Sequence, residues 1–587
     1  MTIRALFNGR VIRAQPGCRT ESEHPVKKIK RVSENVAFLQ RPENARARSL
    51  AKAVGYTSED LARPRIGVAN SWGETSPGHI HLKSVVEAVK AGIWQAGGTP
   101  FEFGSFAMCP MAVGRHGIRY DTPTRDIIAA EVEASAQIHM FDALVMISSC
   151  DKNVPGHLLA AARLGIPTII VPGGPMDAGR YQGEDLDTTN VDAECWAYGV
   201  GNPKISPEEL QALEDHACPG AGSCALLGTA NTMQCLCEAL GMALPGGGTA
   251  LAVSAKRLWI AKESGRRIVD LYEKNVKATD IINVQSLMNA IRVLHAVGGS
   301  TNAVIHLLAI AYELRLEDRI NLDLMESLGR ETPCLAAVRP GGPYTMRDFD
   351  EAGGVQTVMK QIASLLDLEV LTVTGKTVRE NLEAIRAVPS AVIRELNDPV
   401  AKEGLVILRG NLADSAVVRP TVIAPEMMRH KGPARVFDGQ EVALAGLREG
   451  RIEAGDVVIV RYEGPKGGPG LTEVFKVIGY MKALGLEAKC ALVTDGKISG
   501  FARGPFICQV FPEAADGGPL AVVRDGDLIE IDIPRRTLDI HIGKTELDMR
   551  MRAWVRPEER VTEGILTLYA RLANPAPKGA GLDLRMK

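Results

Sequence analysis

Between about Arg65 and about Val370, short apolar runs rich in β-branched residues alternate with stretches that place their apolar residues on one helical face. "RIGVAN" precedes "HLKSVVEAVKAGIWQAGG", and "ALVMISSC" is followed by "GHLLAAARLG" and "IPTIIVPGGP". That rhythm of strand, loop, helix and strand predicts a parallel α/β sheet with ligand loops at the carboxyl ends of its strands. In "PGHLLAAARLG", Pro155 is expected to start a helix, Leu158, Leu159 and Ala162 to share one face, and Gly165 to stop it. Around residues 375–400 the pattern changes. "GLVILRGN", "AVVRPTVI", "GDVVIVRYEG", "KCALVTDG" and "DGDLIEIDIP" read as short strands between Gly, Asp and Pro turns, which predicts a β-rich barrel or closed sandwich. The expected organisation is a flexible N-terminal extension over 1–43, an α/β domain over 44–385 and a barrel-like domain over 386–587.

Composition narrows the classes of partner. At 587 residues the chain exceeds what one hydrophobic core serves, in keeping with two or three domains. With 45% hydrophobic and 24% charged residues and a formal charge of -2, it has no global bias toward nucleic acid or anionic membrane. Charged residues interrupt every apolar segment before the roughly 18 residues of a membrane span. Eleven cysteines are too sparse here for a disulfide scaffold and point to a reducing, cytoplasmic setting and to metal chemistry. The first twenty residues carry four Arg and no acid, so organelle targeting competes with a plain extension.

Several loops hold residues with chemical potential. Cys150 and Cys224 each stand in a Gly- or Pro-containing loop just before an expected helix, where aligned amide groups favour the thiolate that binds metal. A lone cysteine serves equally as a small buried hydrophobe. Cys218 and Cys224 are six apart and "CLC" at 235–237 falls within a helical pattern, so the tight spacing of a zinc site is missing. Asp151 beside Lys152 offers oxygens to Mg²⁺ only if the lysine charge is removed, because an ammonium repels a cation; a simple ion pair is the alternative. "VPGGPM", "LPGGGTA", "AVGGSTNA" and "YEGPKGGPGLTE" can make backbone nests for a carboxylate or phosphate, without the spacing of a nucleotide fingerprint; taken singly, each is more often just a turn. "LVTDGKISGFARG" puts Ser499 in a Gly-flanked turn after a strand, near Lys497 and Arg503 in sequence, without the spacing of a hydrolase elbow.

Together these segments resemble the dihydroxy-acid dehydratase and 6-phosphogluconate dehydratase family, which includes sugar-acid dehydratases. The similarity runs from about Asn44 to the C-terminus through "CDKNVPGHLLAAARLGIP", "GSCALLGTANTM", "EALGMALPG", "GGSTNA", "RYEGPKGGPG", "TDGKISG" and "PEAADGGPLAVVRDGDLIEIDIP". The resemblance implies dehydration of a 2,3-dihydroxy carboxylate to a 2-keto acid, dependent on an iron–sulfur cluster ([2Fe-2S] or [4Fe-4S]) and Mg²⁺. By position it implies Ser499 as the base for the C2 proton, Cys150 and Cys224 as cluster ligands, Asp151 and Glu473 as Mg²⁺ ligands, and Lys152 as a carbamylated lysine. Carbamylation turns that cation into an anion. Iron would act as a Lewis acid on the C3 hydroxyl, and Mg²⁺ would hold the carboxylate and C2 oxygen.

The chain also departs from the family pattern. Gly78 in "SPGHIHL" stands where many members have a first cluster cysteine, so the third thiol falls to Cys109 or Cys218, with Cys109 preferred because its loop is expected to line the same site. Pro110 in "MCPM" replaces an acidic Mg²⁺ ligand, and "ICQVFPEAADGG" differs where the substrate pocket is expected. "HGIRYDTPTRDIIAAEVEA" is more similar to the branched-chain dihydroxy-acid enzymes, which puts a small dihydroxy acid first and a sugar acid second. Pro110 motivates a third reading, a catalytically impaired iron–sulfur binding or regulatory paralogue. A homodimer or homotetramer acting on a small hydroxy acid is expected, with no nucleic-acid or membrane partner.

Overall fold

The structure of the protein, a computed structural model, describes residues 31–110 and 117–585. The arginine-rich first twenty residues lie outside them. Part of the expected flexible extension is in fact packed. Helix α1 (Glu34–Gln40) is capped by the Ser33 side chain and buries Val36 and Leu39, and Arg31 and Tyr272 exchange hydrogen bonds of 2.7 and 3.1 Å. The apolar pair at i and i+3 supplies the sticky face that holds this segment down.

Strands β1 (Arg65–Asn70), β2 (Thr99–Gly104), β3 (Ala143–Ser148) and β4 (Thr168–Pro172) form a parallel sheet in the order β2-β1-β3-β4. β1, β3 and β4 are buried throughout, as expected of parallel strands covered on both faces by helices. Three helices connect them: α2 (Leu82–Ala96), α3 (Asp121–His139) and α4 (Cys150–Leu164). α4 begins five residues earlier than expected, at Cys150, and carries Pro155 inside it. Proline has no N–H, so the Asp151 carbonyl lacks its usual partner one turn on. Gly165 ends the helix at φ 59°, a left-handed conformation that glycine adopts without strain.

The expected strand–helix alternation stops earlier than Val370. A short antiparallel pair, β5 (Gly179–Tyr181) and β6 (Glu184–Leu186), ends the strands of this half, and the following stretch to Glu383 is helical apart from isolated bridges. It contains α5 (Thr229–Ala239) and α6 (Ala255–Lys274). Its apolar runs, such as "NAVIHLLAIAYE" over Asn302–Glu313, are buried nearly all round, and a short apolar run of that kind carries no period that separates helix from strand. α2 and α6 cross through facing glycines. A Cβ on Gly92 would lie 2.0 Å from the Lys262 carbonyl oxygen, and one on Gly265 2.1 Å from that of Val89.

The second half is an eight-stranded sheet in the order β14-β13-β9-β10-β11-β12-β8-β7. These are β7 (Val406–Leu408), β8 (Ser415–Val418), β9 (Arg429–Phe437), β10 (Val457–Val460), β11 (Ala491–Thr494), β12 (Phe506–Phe511), β13 (Leu528–Asp532) and β14 (Thr537–Ile540). β9 to β12 run parallel and the flanking pairs antiparallel. Beyond β7, Arg409 bridges Thr537, and the Leu538 N–H donates to the Arg409 carbonyl at 2.9 Å, so the outer strands meet. Closure removes the exposed edges an open sheet would leave. Helix α7 (Phe475–Ala483) leads into β11.

Gly265→Ala should lower stability by about 1–3 kcal/mol, because the new methyl meets backbone that cannot yield without separating two helices. Gly104→Ala, which meets no atom within 4 Å, is the control. Denaturant midpoints of the two variants check the difference.

Candidate active site

Cys150 stands where the carboxyl end of β3 meets the first turn of α4. Cys150 is buried and takes φ 60°, a left-handed conformation that costs a non-glycine residue about 1–3 kcal/mol. Its sulfur lies against Gly78, where a Cβ would stand 2.3 Å from Sγ, so any side chain at 78 would displace it. The Gly222 N–H donates to the Pro77 carbonyl at 2.8 Å, which ties the Cys224 loop to the same turn. His79 fixes the Cys109 loop: its Nδ1 lies 2.6 Å from the Ser71 carbonyl oxygen and its Nε2 3.3 Å from that of Met108. Burial raises the Cys224 thiol well above its usual range, and Cys109, Asp151 and Cys218 raise it further. The expected lowering by helix amides fails because Cys224 lies five residues before α5, in an acidic and dry setting. Both candidate third thiols, Cys109 and Cys218, are thus near enough to Cys224 to act on it; Cys218 is the more exposed.

Next to the thiols is a buried cluster of charge that draws on both halves. Lys152 Nζ lies 3.1 Å from Asp121 Oδ2 and 3.7 Å from Asp151 Oδ2, and Lys497 Nζ lies 2.5 Å from Asp121 Oδ2 and against Glu473 Oε2. Asp121, Lys152 and Lys497 have no exposed side-chain surface. Burial alone would depress the Lys497 ammonium, yet Asp121 and Glu473 hold it above its ordinary value. Burial opposes ionisation of Asp121, but Lys152 and Lys497 outweigh it and lower its pKa. Asp151 is pushed up to about 6, chiefly by burial, with Lys152 opposing and Asp121 and Glu473 adding to the rise. The first residues of α3 pack on the "GGPGLTE" loop to assemble this cluster. Gly470 fits so closely that a Cβ would stand 2.7 Å from Pro123 Cγ, and Thr122 Oγ1 approaches the Leu471 carbonyl at 3.5 Å.

Ser499 lies in the turn after β11, 6% exposed, and lines a cleft of about 470 Å³ shared with Arg339, Phe475, Phe501 and Arg503. The cleft lining includes none of the four carboxylate and lysine side chains Asp121, Asp151, Lys152 and Glu473. The next residue, Gly500, abuts the start of α5: a Cβ there would be 2.6 Å from the Thr229 nitrogen. The Arg419 guanidinium donates to the Gly500 carbonyl at 2.8 Å. Lys497 links this turn to the charge cluster two residues away.

Among the described residues no three His, Cys, Asp or Glu side chains stand poised to hold a metal ion: Cys109, Cys150 and Cys224 do not form a ready trio, and two ammonium groups lie among the carboxylates. The donors nonetheless suit a divalent cation. Asp121 Oδ2 is shared by the two ammonium groups, but Oδ1 is buried without a hydrogen-bond partner, which leaves an acceptor that the ion pairs do not reach. Pro110 is buried and offers no side-chain donor.

Asp121 is absent from the sequence-based candidates, since an aspartate opening a helix reads as a favourable first-turn charge. A second acidic knot behind the site was equally silent. Asp495 accepts from the Tyr462, Glu463 and Ala514 N–H groups at 3.1, 2.9 and 2.9 Å, while Glu513 accepts from Lys466 and Gly467. These bonds shape the loop that carries Glu473. Burial, with help from Asp495, pushes Glu513 up to about 8 from an ordinary 4.5. Over that interval the native state keeps a proton the unfolded chain has released, so stability falls as pH rises from about 4.5 to 8. Glu513→Gln should flatten this decline, as measured by melting temperature against pH.

With this geometry in view, comparison with known proteins is informative. Residues 63–381 match the dihydroxy-acid/6-phosphogluconate dehydratase N-terminal family model and residues 391–580 the C-terminal one. The chain is 48% identical over 546 residues to a dihydroxy-acid dehydratase of Acetivibrio thermocellus, covering 92% of this chain and 98% of the relative. It is 50% identical over 548 residues to one of Methanothrix thermoacetophila and 46% over 549 residues to one of Methanosarcina barkeri, at the same coverages. The chain belongs to the dihydroxy-acid/6-phosphogluconate dehydratase family.

Proposed function

We propose that this protein is a dihydroxy-acid dehydratase, a hydro-lyase that removes water from a small 2,3-dihydroxy carboxylate to give the 2-keto acid. The observation that carries the reading is the adjacency, along one short seam, of the buried Cys150 thiol, a carboxylate and lysine cluster, and the Ser499 turn. The relatives' shared name favours a dihydroxy acid over a sugar acid as substrate. The reading takes 44–385 and 386–587 as the two domains that meet at this seam.

Cys150, Cys224 and Cys109 would hold an iron–sulfur cluster; Asp151, Glu473 and a carbamylated Lys152 would hold Mg²⁺. When bound, these groups supply Lewis acidity to a hydroxyl that leaves poorly and to the oxygens beside a weakly acidic C2–H. Carbamylation and cation uptake are linked in this setting. A carbamate at Lys152 would face Asp121 and Asp151, and only a divalent cation offsets that repulsion.

Ser499, as its alkoxide, takes the C2 proton on Oγ. The C2–H electrons form the C2=C3 bond, the C3–O bond breaks, and the departing hydroxide takes that proton back from Oγ to leave as water, which restores the alkoxide. The enol then tautomerises to the ketone. A serine is a poor base in water, but the N-terminus of α5 beside Gly500 favours negative charge on this turn. Arg503 in the cleft suits a carboxylate, whereas Arg339 is paired with Asp187 at 3.0 Å.

No helix among the described residues is long and apolar enough to cross a membrane. A cytoplasmic homodimer or homotetramer fits the exposed apolar side chains Val253, Leu258 and Trp259 around the start of α6.

Anaerobically purified protein should carry iron and sulfide and convert a 2,3-dihydroxy acid to a keto acid, detected chemically. Ser499→Ala should cut turnover by about 10²–10⁴-fold with the cluster absorption unchanged. Full activity in that variant removes Ser499 as base, and a colourless protein inactive on dihydroxy acids and aldonates sinks the enzyme reading.

A further inference from the structure

We propose that Asp121 is a direct ligand of the divalent cation, a third carboxylate beside Asp151 and Glu473, at a site where Pro110 contributes no donor. This rests on the Mg²⁺ reading above and extends it to a residue that reading does not assign.

Asp121 is the hub of the buried cluster. It touches both lysines, and through them it joins Asp151 on α4 to Glu473 on the loop before α7. Its side chain is wholly buried: Oδ2 lies 2.5 and 3.1 Å from the two ammonium groups, while Oδ1 has no hydrogen-bond partner. A carboxylate kept only as an ion-pair partner in a dry site normally has its remaining lone pairs satisfied, since leaving them empty is costly. One with open lone pairs is suited to a cation. A carboxylate has about four acceptor positions, so Asp121 can keep Lys497 on one and give another to a metal.

Charge points the same way. With Lys152 unmodified, Asp121, Asp151 and Glu473 face two ammonium groups, a balance of one net negative charge. A carbamate on Lys152 leaves four anions against Lys497 alone. That excess of three calls for a divalent ion at the centre, and Asp121 stands at the centre. The packing of Thr122 and Pro123 against Leu471 and Gly470 fixes the Asp121 backbone on the seam that also carries Glu473. The carboxylate is therefore preorganised.

The test uses full-length, anaerobically purified protein with Mn²⁺ as the probe, its binding and environment read by electron paramagnetic resonance. Wild type should bind Mn²⁺ stoichiometrically, and Asp121→Asn should weaken it at least about tenfold, the size of one lost charged contact. Loss of charge alone could weaken binding, so Asp121→Glu decides ligation. It keeps the charge but moves the oxygens by one methylene, and it should alter the bound Mn²⁺ spectrum. Asp121→Glu also serves if Asp121→Asn fails to fold. An unchanged spectrum and affinity in Asp121→Glu, or unchanged affinity in Asp121→Asn, overturns the assignment. Loss of binding in Asp151→Asn with wild-type behaviour in both Asp121 variants rejects Asp121 while sparing the Mg²⁺ site. A wild type that takes up no Mn²⁺ rejects both.

Discussion

The pairing of Lys497 with Asp121 and Glu473 is the contact on which the arrangement of the site depends. An ammonium from the barrel half is buried between a carboxylate of its own half and one from the helix that follows β2. Withdrawing any one of these from its partners would strand a charge in a dry interior, at a cost of about 3–5 kcal/mol. The two halves are thus held in register at this seam by more than shape. The glycines around it serve the same end: Gly470 lets its loop reach Pro123, and Gly500 lets the Ser499 turn reach the start of α5.

Because the seam is built from charge, it is poised for ligand binding. Two lysines offset most of the charge of the three carboxylates; relieved of one lysine charge, the carboxylates become strongly attractive to a cation. The Cys150 loop next door shows a comparable tension. Its left-handed backbone and its contact with Gly78 hold a thiol in a geometry that ordinary packing does not demand. Strain of this kind persists only where the surroundings over-determine it. Asp151, following Cys150 in the chain, connects the two regions: its charge acts on the Cys224 thiol while its oxygen approaches Lys152.

How much was legible beforehand depends on the range of the interaction. β1, β3 and β4 were readable because continuous apolar runs bounded by Gly and Pro signal buried parallel strands. The barrel was readable from its short strands and frequent turns. The helical stretch after Leu186 was not, since runs buried all round lose the amphipathic period. The start of α4 was misplaced because proline was given its usual first-turn role, whereas the tertiary setting tolerates it inside the helix. The packed α1 was missed because its apolar face is only two residues wide.

At the candidate site, the sequence by itself determined the local chemistry: Cys150, Asp151 and Lys152 adjoin in the chain, and Ser499 follows a strand in a glycine turn. Cys224 was a candidate from its glycine-bearing loop, and family resemblance added Glu473. Only the tertiary structure decided that Asp121 and Lys497 belong to the same cluster. Their partners lie 31 and 376 positions from Asp121, at Lys152 and Lys497. No local pattern encodes a meeting at such separation, because it is set by how two independently folded surfaces pack, and burial then gives the charges their strength.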